Sequence, residues 1–464
     1  MMLSAVAIVL GIYGTGHWLG GATIATLILV WTVLRADEGP PILALALTYQ
    51  LLQVSIGLFY VAATGDTLDA MIHSDWQRMM GLGLIDVACL TAGLAAGRAL
   101  IAQRFRYPHD APAIAFSTRG LLVAYVASVV VTATVQQAAW EYAGLTQAIL
   151  ALSFSKLAVL YLLLRRFMRP VFQWPWVALL LGFEVLLGFT GYFAGFREPL
   201  VMGAVATIEV FNRRNPRHWA MFAAVGALLV ATSLFWMAVR VDYREEFDDS
   251  LVNATRVERL ERMQALSRGL SGSSLDTLHV LVDRMWTIYY PALALDRVPN
   301  AVPHTDGRIL GNALLHLVTP RLLFTDKAPL RSDSEMVRTY AGRNVAGEEQ
   351  GTSIAFGYLA ESYVDFGIPW MFIPVLLFAL FVGMAYEVVL RALTHRELAI
   401  AMTTVIFWLT LYLFERSWVK TLGLNLTLLA YLGGSAWLLD RYLLLSRGEP
   451  DAGGVGTDPA FHIR

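Results

Sequence analysis

The sequence is poor in charge and nearly free of cysteine. Only 15% of its 464 residues are charged, against about 25% in a soluble domain, and 57% are hydrophobic. The single cysteine, Cys89, excludes an intrachain disulfide and a zinc site built from cysteines. The formal net charge of −1 leaves no broad basic surface that would attract nucleic acid. These values are typical of a polytopic membrane protein.

Signals for metal binding and for cleavage are also missing. The polar region from about Val241 to Gly367 contains no HExxH, no DxD and no group of His and Asp at metal-ligand spacing. We therefore expect neither a metal nor another cofactor. The N-terminal run MMLSAVAIVLGIYGTG has no basic region before its apolar residues, which favours a first spanning helix over a cleaved signal peptide.

What the sequence does contain is a series of long apolar runs. A helix needs about 20 mostly apolar residues to cross a bilayer, and we interpret the chain as an all-α membrane protein of about twelve spans. The candidate spans are Met2–Trp18, Gly20–Leu34, Ile42–Ala63, Met79–Ala102, Gly120–Tyr142, Leu145–Phe167, Trp176–Ala194, Pro199–Phe211, Trp219–Val239, Trp370–Leu390, Leu398–Phe414 and Trp418–Leu439.

Basic residues in the short loops predict the orientation of these spans. With twelve alternating spans, most loop arginines fall on one side, which the positive-inside rule makes cytoplasmic, and both termini lie there. Those arginines are Arg35, Arg104, Arg106, Arg119, Arg165, Arg166, Arg169, Arg213, Arg214, Arg217, Arg391, Arg396, Arg441 and Arg447.

The interpretation divides the chain into four parts. Residues 1–240 form N-terminal spans, 241–368 a large helical loop domain between spans nine and ten, 369–442 C-terminal spans, and 443–464 a cytoplasmic tail. Helical spacing of apolar residues in the loop domain predicts helices over Leu251–Leu270, Leu275–Tyr290 and Gly311–Val318. The loop lies on the outer side of the membrane.

The segment Ser353–Phe366 must not cross the membrane if the span count is to hold. We expect a short helix that lies on the outer surface or dips into it, with Ser353 as its N-cap. Helical spacing puts Tyr358, Glu361 and Asp365 on one face. That face either meets a hydroxyl or a cation, or is simply the solvated side of an interfacial amphipathic helix.

Basic residues of the outer side are candidates for binding phosphate. They are Arg197, which stands alone in the tight turn GFREPL, and Arg321, Lys327, Arg343 and Arg416. Arginine binds phosphate through a rigid fork of donors and lysine as a point charge. For each of them, contact with lipid headgroups or pairing with a nearby carboxylate is the structural alternative.

Two histidines and one pair of intramembrane charges complete the candidates. His304 and His316 are the outer histidines nearest the charged stretch, and either has the chemistry of a general base near neutral pH. Lys156 and Glu184 lie at similar depth in adjacent antiparallel spans, so we expect them to pair, with a structural ion pair as their role.

One part of the chain resembles a known family. The run TPRLLFTDKAP and the later run GTSIAFGYLAESYVDFGIPW, within Thr319–Trp370, resemble the bacterial O-antigen and exopolysaccharide repeat-unit polymerases (Wzy-type, oligosaccharide repeat unit polymerase). The lone arginine in GFREPL is also similar. The sequence departs from the family pattern at Ala360, where Gly is usual, at Asp365, where Asn is usual, and at Ala328, which separates Lys327 from its proline.

The resemblance implies a GT-C-like, metal-independent glycosyltransferase in the bacterial inner membrane. Its donor would be a glycan on polyprenyl pyrophosphate, and its acceptor a single lipid-linked repeat unit. Its expected partners are these lipid-linked oligosaccharides, membrane lipids, and the flippase and chain-length regulator of the same pathway. Nucleic acid is not among them.

The resemblance and the chemistry together assign roles. Stabilising the charge on the leaving pyrophosphate is expected to be the largest catalytic effect. We assign it first to Arg197 and Arg321, with Lys327, Arg343 and Arg416 behind them.

The remaining candidates would act on the sugars. Glu361 is the first candidate for a base on the acceptor hydroxyl, ahead of His304 and His316. Tyr358 and Tyr363 would stack on sugar or bond to it, and Asp365 would bind substrate beside them.

Other functions remain open from the sequence. An O-antigen ligase would move the finished glycan from the same donor to the lipid A core. A transporter would favour two related halves and broken helices near the midplane, and the sequence shows no such halves. A non-catalytic scaffold of a synthase complex is a further alternative. The polymerase interpretation requires Arg197, Arg321 and Glu361 to gather at a lipid-accessible mouth on the outer side.

Overall fold

The structure is a computed structural model, and it is helical throughout the part of the chain that it describes. No strand occurs in that part. It describes residues 2–35, 39–104, 116–141, 146–169, 172–189, 195–212, 214–245, 256–268, 274–319, 331–347 and 353–445.

The first half of the chain contributes eleven α-helices in the described ranges. They are α1 (Met2–Thr15), α2 (Trp18–Leu34), α3 (Ile42–Thr64), α4 (Asp69–His73), α5 (Trp76–Ala102), α6 (Thr118–Glu141), α7 (Thr146–Ser153), α8 (Ser155–Met168), α9 (Trp174–Gly188), α10 (Arg197–Val210) and α11 (Pro216–Glu245).

The second half contributes ten more, again in the described ranges. They are α12 (Arg256–Arg268), α13 (Ser274–Met285), α14 (Tyr289–Arg297), α15 (Arg308–Val318), α16 (Asp333–Met336), α17 (Tyr358–Phe366), α18 (Phe372–Ala392), α19 (Arg396–Leu411), α20 (Trp418–Thr427) and α21 (Gly434–Leu445). Two π-helical segments, Val337–Ala341 and Leu428–Gly433, continue α16 and α20.

Six apolar helical segments of the described chain are long enough to cross a membrane. They are Ile42–Thr64, Trp76–Ala102, Gln147–Met168, Pro216–Val239, Phe372–Ala392 and Trp418–Tyr442. Five shorter apolar helices accompany them, among them α2 and α9. The predicted class, a helical membrane protein, is compatible with this architecture, and the count of twelve spans stays a prediction.

The helices form two compact units. The first consists of residues 1–115, 133–155 and 286–464, and the second of residues 116–132 and 156–285. Residues 241–368 of the predicted loop domain are thus divided between the two units. The part from Trp286 onward folds with α1 to α5 and α18 to α21.

The core of the first unit is the close contact of α5 with α18. A Cβ on Gly97 would lie 2.1 Å from the Leu380 carbonyl oxygen, and one on Gly383 would lie 2.3 Å from the Leu94 carbonyl oxygen. Because Gly93 meets Leu376 and Gly97 meets Leu380, the two helices run parallel. Small residues let helix backbones approach this closely in membrane proteins.

A cluster of charges joins helix ends in the first unit. The Glu387 carboxylate pairs with Arg98 at 2.9 Å and with Arg391 at 2.7 Å, and the Arg98 guanidinium also reaches the Leu34 carbonyl oxygen. The carboxyl-terminal ends of α2, α5 and α18 therefore lie together. Tyr386 donates to the Pro40 carbonyl oxygen at 3.1 Å, which adds the start of α3 to the same end of the unit.

Two side-chain amides in the middle of α3 form hydrogen bonds with backbone groups where α19 ends. Gln53 donates to the Tyr412 carbonyl oxygen at 2.9 Å and accepts from the Phe414 N–H at 3.0 Å, and Gln50 donates to the Leu411 carbonyl oxygen. Residues 412–417 are not helical, and backbone outside a helix needs such partners when it is buried. The two amides thus position the start of α20.

The second unit contains the predicted intramembrane ion pair. The Lys156 ammonium lies 2.6 Å from the Glu184 carboxylate, so the expected pairing is confirmed. Tyr125 donates to the other oxygen of that carboxylate at 2.5 Å. Paired and hydrogen-bonded, the buried Glu184 has the partners that a charge in an apolar interior requires.

The predicted helices of residues 241–368 are present with different bounds. Leu251–Leu270 corresponds to α12 and Gly311–Val318 to α15, while the run Leu275–Tyr290 is split between α13 and α14. The break lies at Trp286, whose indole N–H donates to the Val54 carbonyl oxygen at 2.8 Å. This bond to α3 is a tertiary contact, which apolar spacing along the chain does not report.

Candidate functional site

The helix α17 lies at the centre of the candidate site, and it is buried. Residues Tyr358 to Asp365 are all buried within the first unit. Of the two possibilities that the sequence left open for this face, the solvated side of an interfacial helix does not hold, because the polar side chains of α17 bond to surrounding helices. The predicted N-cap is wrong as well, since Gly357, and not Ser353, precedes the helix.

Backbone geometry explains where α17 begins. Gly357 has φ of 96°, a value that favours glycine, and a Cβ there would lie 3.3 Å from the Phe414 carbonyl oxygen. The next N–H, of Tyr358, donates to the Arg416 carbonyl oxygen at 2.8 Å. The segment that joins α19 to α20 thus positions the first turn of α17.

Glu361 lies at the start of α20. Its carboxylate accepts the backbone N–H of Trp418, the first residue of that helix, at 2.7 Å. Burial of this side chain, only 4% exposed, is the main cause that raises the pKa of Glu361 to about 8, and the carboxylates of Asp333 and Asp365 contribute to the rise. The Trp418 N–H and the Lys420 ammonium oppose the rise. A carboxyl group that titrates near neutral pH can both accept and return a proton.

Asp365 caps a second helix. Its carboxylate accepts the backbone N–H groups of Ile309 at 3.0 Å and Leu310 at 2.8 Å, and the Thr305 hydroxyl as well. These N–H groups belong to the first turn of α15, where a helix has no internal partners for them. The carboxylate thus stabilises the start of α15. Its predicted role in binding substrate stays a prediction.

Tyr358 connects α17 to two of the long apolar helices. Its hydroxyl lies 2.6 Å from the Asp86 carboxylate of α5 and 2.9 Å from the Gln50 side-chain oxygen of α3. Burial, followed by the neighbouring carboxylate of Asp86, raises the pKa of Tyr358 well above its ordinary value, so the phenol keeps its proton. The second oxygen of Asp86 has no hydrogen-bond partner in the described part of the chain.

His304 and Tyr363 pack together at the other end of α17. The Tyr363 hydroxyl donates to the Val298 carbonyl oxygen at 2.6 Å, and the two rings lie 5.7 Å apart. Nδ1 of His304 lies 3.1 Å from the Val364 carbonyl oxygen. Since a carbonyl only accepts, the proton of a neutral ring is on Nδ1, and Nε2 keeps its lone pair.

The polar residues of α17 and their partners, centred on Tyr358, Glu361 and Asp365, form a group that we call the α17 cluster. A half-exposed cation lies at its edge. Lys420, whose side chain is 51% exposed, pairs with Asp333 at 2.7 Å and lies 3.3 Å from the Ser353 hydroxyl. Its charge acts on Glu361 and lowers the pKa of that group against the effect of burial. The cluster is therefore buried at Glu361 and reaches solvent at Lys420.

An open apolar groove of about 620 Å³ adjoins the cluster. Trp418 links the two, since it lines the groove while its N–H contacts Glu361 and its indole donates to the Ser362 hydroxyl at 2.8 Å. The other lining residues come from α15, the end of α17, the turn before α18, α18 and α20: Leu310, Leu314, Phe366, Trp370, Ile373, Pro374, Leu377, Phe378, Phe381 and Leu422.

Three more predicted residues lie in the first unit. Arg416 donates to the carbonyl oxygens of Leu409 at 2.7 Å and Thr410 at 3.3 Å, and so bonds to the end of α19. Arg343 is exposed, with its guanidinium 5.9 Å from the centre of the Tyr289 ring. His316 lies half-buried on α15. Their roles in binding or catalysis stay predictions.

The predicted gathering of Arg197, Arg321 and Glu361 stays a prediction as well. Arg197 begins α10 in the second unit, while Glu361 belongs to the first. Arg321 and Lys327 lie outside the described residues.

Sequence reasoning missed three groups of the α17 cluster, which are Gln50, Ser362 and the N–H of Trp418. One signal was available, because Gln50 and Gln53 are two amides in an otherwise apolar span. Polar side chains in such a position are expensive and indicate bonds within the bundle. The contribution of Trp418 is a backbone group, for which the side-chain sequence carries no signal.

The described residues contain no group of three or more His, Cys, Asp or Glu that could hold a metal ion. Searches against protein families, curated proteins and solved structures found no match for the chain.

Proposed function

We propose that this protein is a membrane-embedded glycosyltransferase that polymerises polyprenyl-pyrophosphate-linked oligosaccharide repeat units. The observation that carries the proposal is the position of Glu361. Its carboxyl group has a pKa of about 8, and its hydrogen-bond partner, Trp418, lines a groove that is apolar enough for a lipid chain. A group that exchanges protons beside a lipid site is what the transfer of a lipid-linked glycan needs.

The reaction transfers the growing glycan to a new repeat unit. The hydroxyl oxygen of the acceptor's terminal sugar forms a bond to the anomeric carbon of the donor, and the bond from that carbon to the pyrophosphate oxygen breaks. The hydroxyl proton passes to the Glu361 carboxylate. The leaving polyprenyl pyrophosphate takes the bonding electrons and carries negative charge, which nearby cations stabilise.

Cations for the pyrophosphate come from two sources in this proposal. Lys420 is half exposed at the edge of the α17 cluster and already acts on Glu361 electrostatically. Arg197 and Arg321, together with Lys327, Arg343 and Arg416, are the candidates that the family resemblance supplies. An arginine would hold two phosphate oxygens at once, and a lysine one.

The other buried polar residues of α17 support a positioning role for the rest of this helix. Asp365 and Tyr358 bond to α15, α3 and α5, so they hold the helix in place and with it the carboxyl group. Held in this way, Glu361 keeps its geometry while substrate binds. A rigid supporting shell of this kind is what a catalytic group requires.

The test is complementation of a deletion strain with the Glu361→Gln variant. Glutamine has the same shape but cannot accept the proton, so we expect polymer yield to fall at least about 100-fold while the variant remains in the membrane. The readout is the ladder of glycan lengths on a gel. Long chains that disappear while single units stay attached support the polymerase.

Two other outcomes would contradict the proposal. Loss of all attached glycan in the deletion strain would indicate a ligase, which moves finished glycan from the same donor. A wild-type ladder of glycan lengths from the Glu361→Gln variant would show that Glu361 is not the base of the reaction. Turnover of purified lipid-linked substrate by the purified protein, measured beside the ladders, separates an enzyme from a scaffold.

A further inference from the structure

A second apolar groove continues the first along α18. It has a volume of about 440 Å³ and shares Phe381 with the first groove. Its lining residues belong to the second half of α18 and the residue that follows it, to the π-helical segment Leu428–Gly433 and to α21: Phe381, Met384, Ala385, Val388, Val389, Ala392, Leu393, Leu429, Gly433 and Trp437.

The two grooves follow one face of each helix that lines them. We call the first groove the outer groove and the second the inner groove. On α18, Ile373, Leu377 and Phe381 line the outer groove, and the inner groove continues the same three- and four-residue spacing down to Ala392. Residues at this spacing share a helical face. The opposite wall has a similar helical spacing and is formed by Trp418, Leu422, Leu429, Gly433 and Trp437. The two grooves are therefore one track between α18 and α20–α21, which we call the α18 track.

The α18 track is as long as the membrane is thick. α18 has 21 residues and so measures about 30 Å, which is close to the thickness of the hydrocarbon core. A phospholipid acyl chain stays in its own leaflet and covers only about half of that core, roughly 15 Å. One such chain fills one groove and leaves the other unoccupied.

We propose that the α18 track binds a single long isoprenoid chain, the polyprenyl tail of the lipid-linked substrate. The proposal rests on the proposed function for the identity of the lipid. All twenty lining residues are apolar, aromatic or glycine, so the track binds hydrocarbon and leaves the headgroup to the polar cluster. At one end Trp418 lines the track and bonds to Glu361, so a tail in the track brings the attached pyrophosphate to that carboxyl group.

Gly433 offers a way to close the inner half of the track. A Cβ at this position would have its nearest neighbours, Ile406 Cδ1 and the Leu428 carbonyl oxygen, at 3.9 Å, so a larger residue is tolerated. Phenylalanine there fills the inner groove. The matched control is Gly226→Phe on α11, where a Cβ would have no atom within 4 Å and which lines neither of these two grooves.

The experiment uses the full chain in nanodiscs of phosphatidylethanolamine and phosphatidylglycerol. The probes are undecaprenyl phosphate and farnesyl phosphate, each with a photoreactive group at the end of the tail, and labelled peptides are identified by mass spectrometry. We expect the long probe to label residues 384–393 or 429–437 and the short probe to label only the outer groove. Gly433→Phe should lower the inner labelling about tenfold, a loss that about 1.4 kcal/mol of binding free energy would cause. Gly226→Phe should leave it unchanged.

The proposal is overturned if the long probe labels exposed apolar helices evenly. It is also overturned if a phospholipid labelled at its tail end gives the same inner labelling, because that outcome describes ordinary membrane lipid. Neither probe carries a glycan, so labelling does not depend on turnover. Specific labelling without polymerisation would leave the α18 track in place and reject the proposed function, and polymerisation without specific labelling would do the reverse.

Discussion

At the scale of single residues, the cluster around α17 shows that a carboxylate can serve different purposes within one helical turn. Asp365 accepts two N–H groups from the first turn of α15, and its charge is compensated there by the helix dipole. Glu361 accepts a single N–H, and burial raises its pKa to about 8. The partners of the two carboxylates thus differ, since those of Asp365 belong to the first turn of α15 and that of Glu361 is the first N–H of α20.

The raised pKa of Glu361 predicts a pH-dependent stability. In the folded protein the group stays neutral up to about pH 8, whereas in the unfolded chain it ionises from about pH 4.5. The contribution of Glu361 to the stability of the folded protein is therefore complete below about pH 4.5 and is lost as pH rises through about 8. We expect wild-type melting temperature to fall over this window relative to Glu361→Gln, whose side chain does not titrate.

The measurement is thermal unfolding of both purified proteins in the same detergent across that pH range. The difference between the two melting temperatures should grow with pH and favour the variant at the alkaline end. A difference that does not change with pH would mean that Glu361 titrates near its ordinary value.

At the scale of elements, the contact of α5 with α18 holds the site in place. α5 carries Asp86, which bonds to Tyr358, and α18 lines the apolar groove. Helices in a bilayer associate without a hydrophobic driving force between them, so close backbone approach at small residues takes its place. The α5–α18 contact depends on Gly97 and Gly383, which have no side chain to separate the backbones.

A single methyl group at this contact should loosen the first unit. In Gly97→Ala the added Cβ would lie 2.1 Å from the Leu380 carbonyl oxygen, so backbone must shift, and we expect a loss of about 1–3 kcal/mol. Gly81→Ala on the same helix is the control, because nothing lies within 4 Å of a Cβ there and alanine favours the helix by about 0.5–1 kcal/mol. Unfolding of both variants in detergent measures the difference. Equal stability of the two would show that the close contact is not required.

Element prediction from the sequence succeeded where apolar spacing was regular and failed where the chain turns inside the bundle. The predicted helix Gly311–Val318 appears as part of α15, and the first span candidates match α1 to α3 and α5 closely. The breaks at Trp286 and at residues 412–417 are held by Gln53 and its neighbours on α3. Because those partners are hundreds of residues away in the chain, no local pattern reports them.

At the scale of the whole molecule, the helix ends of the first unit can be compared with the predicted alternation of spans. The ends of α2, α5 and α18 lie together with the start of α3, near Arg98 and Arg391. This arrangement agrees with spans that alternate as the loop arginines predict. In the proposed topology this end faces the cytoplasm of a bacterial inner membrane, and the α17 cluster belongs to the opposite face.

Cysteine labelling tests the orientation directly. In a Cys89→Ala background, Thr67→Cys places a thiol in the exposed segment between α3 and α4, and Gln103→Cys places one just after α5. A maleimide that does not cross membranes should label the first in cells with a permeable outer membrane, and the second only after lysis. Labelling in the reverse order would put the proposed site on the cytoplasmic side, where flipped substrate is absent.

The sequence by itself determined the class of the protein and the elements that carry its polar groups. Low charge, long apolar runs and the depth of Lys156 and Glu184 follow from composition and helix geometry, which are local properties. Only the tertiary structure decided that α17 is buried, that Glu361 lies at the start of α20, and that its pKa is near neutral. The physical reason is that burial and hydrogen-bond partners come from segments far apart in the chain, and a pKa depends on both.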